Sequence, residues 1–448
     1  TKAVPGNLPG NLLVITIDTL RADGLGCYGG AAVRTPWLDA LARDSWQITQ
    51  AYAAVPITNP SHCSIFTGLN PANHGAVNFG FRLRENAPCL PGSLRDKGCA
   101  TAAFISGFSL VARISGLERH FDVYDDQWGG SARLTDRPAD ATTDNALRWL
   151  DCIDGPFALW VHFFDPHKPY EPPVNYGRMY QKEYTGPAAP AAMTLLRAQN
   201  DPGPHPVEPL AALDRHGAGQ GQVTAAELEE NINLYRGEIS FADAQVGRIM
   251  VYLAGKDLLD STVIVVTSDH GESFGHGYYF RHIDRVYDSL LHVPMLIKVP
   301  GEAAGLVAGD MPHIDLAPTI ARLMGIDTYL ADGDARVDEL RHGRLAPGRA
   351  LFAQTAGRDV DWSRGDIASV RQDDWKLITY VDRGEAELFD LRTDPGELDN
   401  RVERDMVMAR RMEDLIEDWT IDHNAATPVG MVLDAPDQER LRALGYLQ

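Results

Sequence analysis

NLLVITID, residues 11–18, is an unbroken apolar and β-branched run that ends in an aspartate. A strand that is apolar on both faces belongs in the middle of a sheet covered on both sides, which is the environment of parallel strands. Four further segments have the same character: TAAFIS (101–106), ALWVHFFD (158–165), TVIVVTSD (262–269) and PMLIKVP (294–300). All five read as buried parallel strands. Helical stretches separate them, so the expected fold is α/β: a doubly wound, mostly parallel sheet flanked by helices.

The chain has 448 residues, enough for a large core and more than one domain. Its 41 basic and 62 acidic residues give a formal charge of −21, which argues against a nucleic-acid partner. No apolar run approaches the roughly 18–20 residues that span a bilayer, so no membrane partner is expected. Five cysteines, Cys27, Cys63, Cys89, Cys99 and Cys152, are an odd number without paired metal spacing. The plainest reading is a reduced cytoplasmic protein, with periplasmic or secreted placement open if a signal segment has been removed. A homo-oligomer stays open as well.

The α/β pattern is interrupted at about 171–222, where proline and glycine accumulate; this reads as a surface insertion over the strand ends. It ends at Thr224-Ala-Ala-Glu227, a capping box that opens a helix. After residue 357 the segments IASVRQDDWKLITYV and AELFDL alternate apolar and polar residues, and a helical segment follows. The expected division is a catalytic α/β domain over 1–357 and a smaller C-terminal α+β subdomain over 358–448, tied to the first.

Ligands of parallel α/β sheets bind beyond the carboxyl ends of the strands. Three expected strands end there in Asp18, Asp165 and Asp269, with His167 and His270 close behind. A single aspartate in that place is commonly a helix cap. Three with two histidines form a carboxylate–imidazole set suited to zinc or manganese. Calcium and magnesium, which prefer oxygen ligands, suit it less.

The segment ITNPSHCSIFTG (57–68) supplies a nucleophile candidate. Pro60 and Gly68 bracket a short helix over 60–67. Thr58 and Asn59 then stand at its N-terminus, a natural anion site. A threonine hydroxyl there can attack phosphorus or sulfur once a metal lowers its pKa; it can equally be a simple cap.

Taken in order, NLLVITIDTLRADGLGCYGG, PITNPSHCSIFTGLNPANHG, LYRGEISFADAQVGRIM, VVTSDHGESFGHG, HIDLAPTIARLMGI and WKLITYVDRGEAELFDLRTDPGELDN resemble the sulfatase family of the alkaline phosphatase superfamily along nearly the whole chain. Its sulfatases mature a cysteine to formylglycine within Cys-x-Pro-x-Arg. Aligned on Thr67-Gly68, Thr58 takes the cysteine's place, Pro60 is in register, and His62 replaces the arginine. Cys63 falls five residues late and reads as an unmodified core thiol, so no formylglycine is expected. The family's aspartate pair is here Asp18-Thr19, its aspartate–asparagine pair is Asp269-His270, and its Gly-Lys-x-His segment has no counterpart in ATAAFISGFSL.

The set Asp18, Thr58, Asp269 and His270 is similar to that of relatives that cleave phosphate esters through threonine. The resemblance implies a metal held by Asp18, Asp269 and His270, with Thr58 as nucleophile and His167 or His282 as general acid. It further implies substrate contacts from Asn78, Ser106, His62 and His276, and a second metal ligand in Asp165. His74, His292 and His313 read as structural. The implied activity is hydrolysis of a small anionic ester: a phosphate mono- or diester or a phosphonate monoester. Sulfate-ester hydrolysis, phosphoryl transfer to another alcohol, and a non-catalytic binding protein are the competing readings.

Overall fold

In the computed structural model, which describes residues 10–127, 135–181, 223–355, 367–381, 383–423 and 434–443, the central sheet has eight strands. They are β1 (Asn11–Ile17), β2 (Trp46–Tyr52), β3 (Ala100–Phe104), β4 (Val123–Asp125), β5 (Phe157–Phe163), β6 (Thr262–Thr267), β9 (His292–Lys298) and β10 (Gly305–Pro312). A small hairpin, β7 (Ser273–Gly275) and β8 (Tyr278–Arg281), stands apart. Across the large sheet the order is β10-β2-β9-β6-β1-β5-β3-β4.

The expected parallel core is present: β1 pairs in parallel with β5 and β6, and β3 with β5. One strand departs from expectation. PMLIKVP lies in β9, which runs antiparallel to both β6 and β2. An apolar run reports burial of both faces, not direction, and β9 is buried between its neighbours like a parallel strand. The strand β2 was not anticipated from sequence because WQITQAY mixes polar residues into its run.

Alternate residues of the central strands serve opposite faces. Leu12, Val14, Ala158 and Trp160 pack beneath Cys63 and Phe66 of the short helix α1 (Thr58–Thr67). Leu13, Ile15, Ile17, Leu159 and Val161 face α2 (Ala139–Leu150) and the long helix α3 (Ala225–Gly255). Thr224 caps α3 as expected: its hydroxyl accepts from the Glu227 amide while the Glu227 carboxylate returns the bond. Residues 182–222 of the expected insertion lie outside the described residues.

The C-terminal antiparallel sheet is β11 (Leu351–Thr355), β12 (Ile367–Gln372), β13 (Trp375–Tyr380) and β14 (Glu385–Asp390), in that order. One face packs under α4 (Met406–His423). The other, through Ile367, Ile378 and Phe389, closes on Tyr52, Val286 and Tyr287 of the main body. The sheet thus begins a few residues before position 358. No described helix is long and apolar enough to cross a membrane. All five cysteines are free thiols.

Candidate active site

The register of β1 against β5 and β6 sets Ile17 opposite Phe163 and Thr16 opposite Thr267, so the three strands end level. Asp18 and Asp269 therefore emerge side by side. One oxygen from each, with a nitrogen of His270, forms a group in which all three atoms lie within 4.8 Å of one another. All three side chains are fully buried.

The hydrogen bonds around this group leave a ligand set with no proton between its members. Asp269 Oδ1 accepts from the amides of His270 (2.8 Å) and Thr19 (3.2 Å). His270 Nδ1 faces the Gly271 carbonyl at 3.0 Å, and a carbonyl can only accept, so Nδ1 carries the proton. Its Nε2 lone pair then points at Asp269 Oδ2 (3.3 Å) and toward Asp18 Oδ1 (4.0 Å). Both oxygens of Asp18 and Oδ2 of Asp269 are buried without a hydrogen-bond partner. The Thr58 hydroxyl and Thr19 amide lean toward Asp18 and favour its charged form, but neither completes a bond of normal length and angle.

Three orphaned carboxylate oxygens and an imidazole lone pair converging in a buried site fit a divalent cation. Without that positive charge, burial and the neighbouring Asp269 and Glu272 push the Asp18 carboxyl well above its ordinary range. Burial pushes Asp269 the same way, but the polar groups around it, among them the His270 amide on Oδ1, hold this carboxyl below its ordinary range. Thr19, in the group's own loop, has the left-handed φ of 55°, a conformation that costs a β-branched residue energy and that the surrounding bonds hold in place.

The helix α1 begins at Thr58, two residues before Pro60. Pro60 sits in the first turn, where a missing N–H breaks no helical bond. Thr58 is fully buried, and its Oγ1 lies 3.4 Å from His270 Nε2. The expected nucleophile thus meets the Asp18–Asp269–His270 group at a helix N-terminus, where a transferring anion is favoured. Cys63 faces the core one turn on, its thiol 3.6 Å from Asn59 Oδ1, and burial pushes its pKa well up.

The remaining candidates divide. His282 stacks beside His270 with centroids 4.4 Å apart, and its Nδ1 meets Glu272 Oε1 at 3.3 Å. Glu272, which the sequence reading missed, is fully buried and receives the Tyr170 hydroxyl at 3.0 Å. His167 packs against His282 at 5.0 Å, with Nδ1 bonded to the Lys168 carbonyl; burial and His282 lower its pKa to about 3, so it is neutral. Asn78 is fully buried with Nδ2 unpartnered, as a substrate-facing amide would be.

Four candidates take other positions. His62 lies beneath α1, not above it: Nδ1 donates to the Thr58 carbonyl (2.8 Å), and Nε2 accepts from Thr16, whose hydroxyl takes the Trp160 indole N–H. Both ring nitrogens are committed, so it braces the helix and has none left for a substrate. Ser106 is similarly engaged, donating to the His162 carbonyl and accepting from the Phe164 amide at 2.8 Å. Three residues on, Ser109 has a fully buried hydroxyl without a partner. Asp165 accepts the Ala139 amide at 2.9 Å, at the start of α2, and stands outside the Asp18–Asp269–His270 group. His276 stacks on Tyr287 at 4.2 Å and lines a separate cleft of about 900 Å³ with Arg21, Asp288 and Arg371.

A family model described as Sulfatase matches residues 10–326. The chain belongs to the sulfatase family. A second sulfatase-family model, N-sulphoglucosamine sulphohydrolase, C-terminal, matches residues 275–420. Among similar proteins, a multifunctional alkaline phosphatase superfamily protein of Trinickia caryophylli is 27% identical, covering 94% of this chain and 98% of that one. A choline-sulfatase of Rhizobium meliloti (strain 1021) is 25% identical over 88% of this chain and 82% of its own. The crystal structure of a phosphonate monoester hydrolase of Agrobacterium radiobacter superposes with a TM-score of 0.71 at 23% identity, covering 94% and 100%. The chain is a sulfatase-family hydrolase of anionic esters, and the buried Asp–Asp–His group suits the divalent metal that the family employs.

Proposed function

We propose that the chain hydrolyses phosphate or phosphonate esters through a covalent threonine intermediate, with Asp18, Asp269 and His270 holding zinc or manganese. The observation that carries the reading is Thr58: a hydroxyl stands at the helix N-terminus 3.4 Å from His270 Nε2, and no cysteine occupies that place. The bound cation would supply Lewis-acid charge that lowers the hydroxyl's pKa and offsets charge on the ester oxygens.

Thr58 Oγ1, its proton passed to solvent, forms the new bond to phosphorus as the bond to the leaving oxygen breaks. The leaving oxygen takes its proton from His282 Nε2, while Glu272 holds His282 through Nδ1. His167, neutral with its proton on Nδ1, suits packing and orientation of His282 better than proton delivery. Asn78 Nδ2 and Ser109 Oγ, both buried donors without protein partners, suit the non-bridging oxygens. Water then cleaves the phosphothreonine, returning Thr58 and releasing phosphate or phosphonate.

Sulfate-ester hydrolysis is the second reading, favoured by relatives such as the choline-sulfatase. A formylglycine hydrate expels sulfate by hemiacetal collapse; a sulfated threonine has no such exit. Rates on matched aryl phosphate, phosphonate, phosphodiester and sulfate esters separate the two, with sulfate expected slowest. Thr58→Ala should lose at least about 10³-fold in turnover with its thermal midpoint nearly unchanged. Full activity in that variant would remove the threonine mechanism.

A further inference from the structure

We infer that His162 is a positioning residue for Asp18, donating a hydrogen bond that orients this carboxylate toward the cation. The inference rests on the metal-dependent reading above. His162 lies on β5 directly opposite Thr16 of β1, two residues before Asp18. Its ring is fully buried, and its Nε2 stands 3.6 Å from Asp18 Oδ2 with no hydrogen-bond partner.

The tautomer follows from the other nitrogen. The Ser106 backbone N–H approaches His162 Nδ1 at 3.4 Å, and an amide can only donate. The Ser106 hydroxyl, also 3.4 Å from Nδ1, gives its proton to the His162 carbonyl. Nδ1 therefore holds the lone pair and Nε2 the proton, aimed at Asp18. Closing the 3.6 Å gap to a normal bond takes a shift of roughly half an ångström.

His162 is not a member of the Asp18–Asp269–His270 group, so it acts through Asp18. An N–H on Oδ2 engages one oxygen and leaves Oδ1, on the His270 side, to the cation. It also fixes the plane of a carboxylate whose oxygens have no other hydrogen bond of normal geometry. Outer partners of this kind typically change metal affinity 10–100-fold. The mirror arrangement holds at His270, where the Gly271 carbonyl fixes the tautomer that leaves Nε2 bare. One histidine is thus set to give a proton to the site and the other to offer a lone pair.

The test is Zn²⁺ affinity of the metal-stripped full chain by chelator competition, with the visible spectrum of the Co²⁺ form as a second readout. His162→Leu removes the donor and should bind Zn²⁺ about 10–100-fold more weakly, with an altered Co²⁺ spectrum. His162→Gln keeps an N–H near the Nε2 position and should restore most of the affinity. His162→Asn, whose amide reaches toward Ser106 and not Asp18, should stay weak; the Gln–Asn pair decides the matter if the leucine variant does not fold. Wild-type affinity in His162→Leu, or equal weakness of Gln and Asn, overturns the inference while Asp18→Asn still loses the metal. A wild-type chain that binds no Zn²⁺, Co²⁺ or Mn²⁺ overturns the metal reading and this inference with it.

Discussion

His270 turns its bare Nε2 toward Asp269 Oδ2 at 3.3 Å, two electron-rich atoms held face to face by backbone bonds behind each of them. The fold keeps this contact and the adjacent Asp18 in a buried site where both Asp18 oxygens and Asp269 Oδ2 lack a hydrogen-bond partner. Such an arrangement costs stability unless a cation fills it, as functional sites commonly do.

Asp18→Asn should therefore separate stability from function. In metal-free protein it removes a buried carboxylate whose oxygens make no hydrogen bond of normal geometry, and should raise stability by about 1–3 kcal/mol. The same change should abolish the rise in melting temperature that Zn²⁺ or Mn²⁺ gives the wild type. Melting curves of both proteins with and without metal check this; a less stable metal-free variant would contradict it.

Glu272 should matter in proportion to how badly the leaving group needs a proton. It bonds His282 Nδ1 and is itself held by Tyr170, and its amide isostere cannot play the same part toward a protonated ring. Glu272→Gln should slow hydrolysis of an alkyl ester about 10²-fold and that of a 4-nitrophenyl ester far less. A series of leaving groups gives the slope of rate against leaving-group pKa, expected to steepen in the variant. An unchanged slope would assign Glu272 to packing alone.

The strand-ending aspartates were legible because parallel core strands are apolar at every position, so Asp18 and Asp269 stand out as punctuation. Direction was not legible: β9 is as apolar as β6 yet runs the other way. The fate of His62 was hidden because Thr16 and Trp160, which engage it, are remote in sequence and meet it only when β1, β5 and α1 stack. Ser106 was placed at the substrate by resemblance alone, whereas its hydroxyl is engaged by His162 and Phe164 and that of Ser109 has no partner. Thr224 and Glu227 were legible because a capping box is local, needing nothing beyond its own four residues.

Acid stability should report the buried histidines, and His74 is the one to isolate because it lies outside the Asp18–Asp269–His270 group. The Ala76 amide donates to its Nδ1 at 3.2 Å and its Nε2 meets Ser64 Oγ at 3.0 Å, so it is built as a neutral ring. Burial, aided by Arg84, lowers its pKa to about 3. The unfolded chain takes up this proton near pH 6.5 and the folded chain does not. Its contribution is complete above pH 6.5 and is lost as pH falls from there toward 3, at about 1.4 kcal/mol per pH unit. His74→Gln should flatten the pH dependence of the urea midpoint between pH 6.5 and 5 by about 2 kcal/mol, whatever its effect at pH 7.5. An unaltered slope would show that the ring is charged in the fold.

Lys376 should be what fastens the C-terminal sheet to the catalytic body. Its ammonium, on β13, is 1% exposed and lies 2.6 Å from Asp288 and 2.7 Å from Glu397. Asp288 comes from the segment after the β7–β8 hairpin, so one cation bridges the C-terminal sheet and the loop that follows Asp269 and His270. Arg371 also reaches Asp288 at 2.7 Å, and the Asp288 amide donates to Glu397 at 2.6 Å. Removing the lysine leaves two carboxylates with a single guanidinium between them in a buried setting, and breaking a buried ion pair in this way costs about 3–5 kcal/mol. Lys376→Met should lose about that much in urea unfolding, and Lys376→Met with Glu397→Gln should recover part of it, because one uncompensated charge is gone. Equal stability of the single and double variants would show that Glu397 carries no charge in the fold, leaving Asp288 as the lysine's only ionic partner.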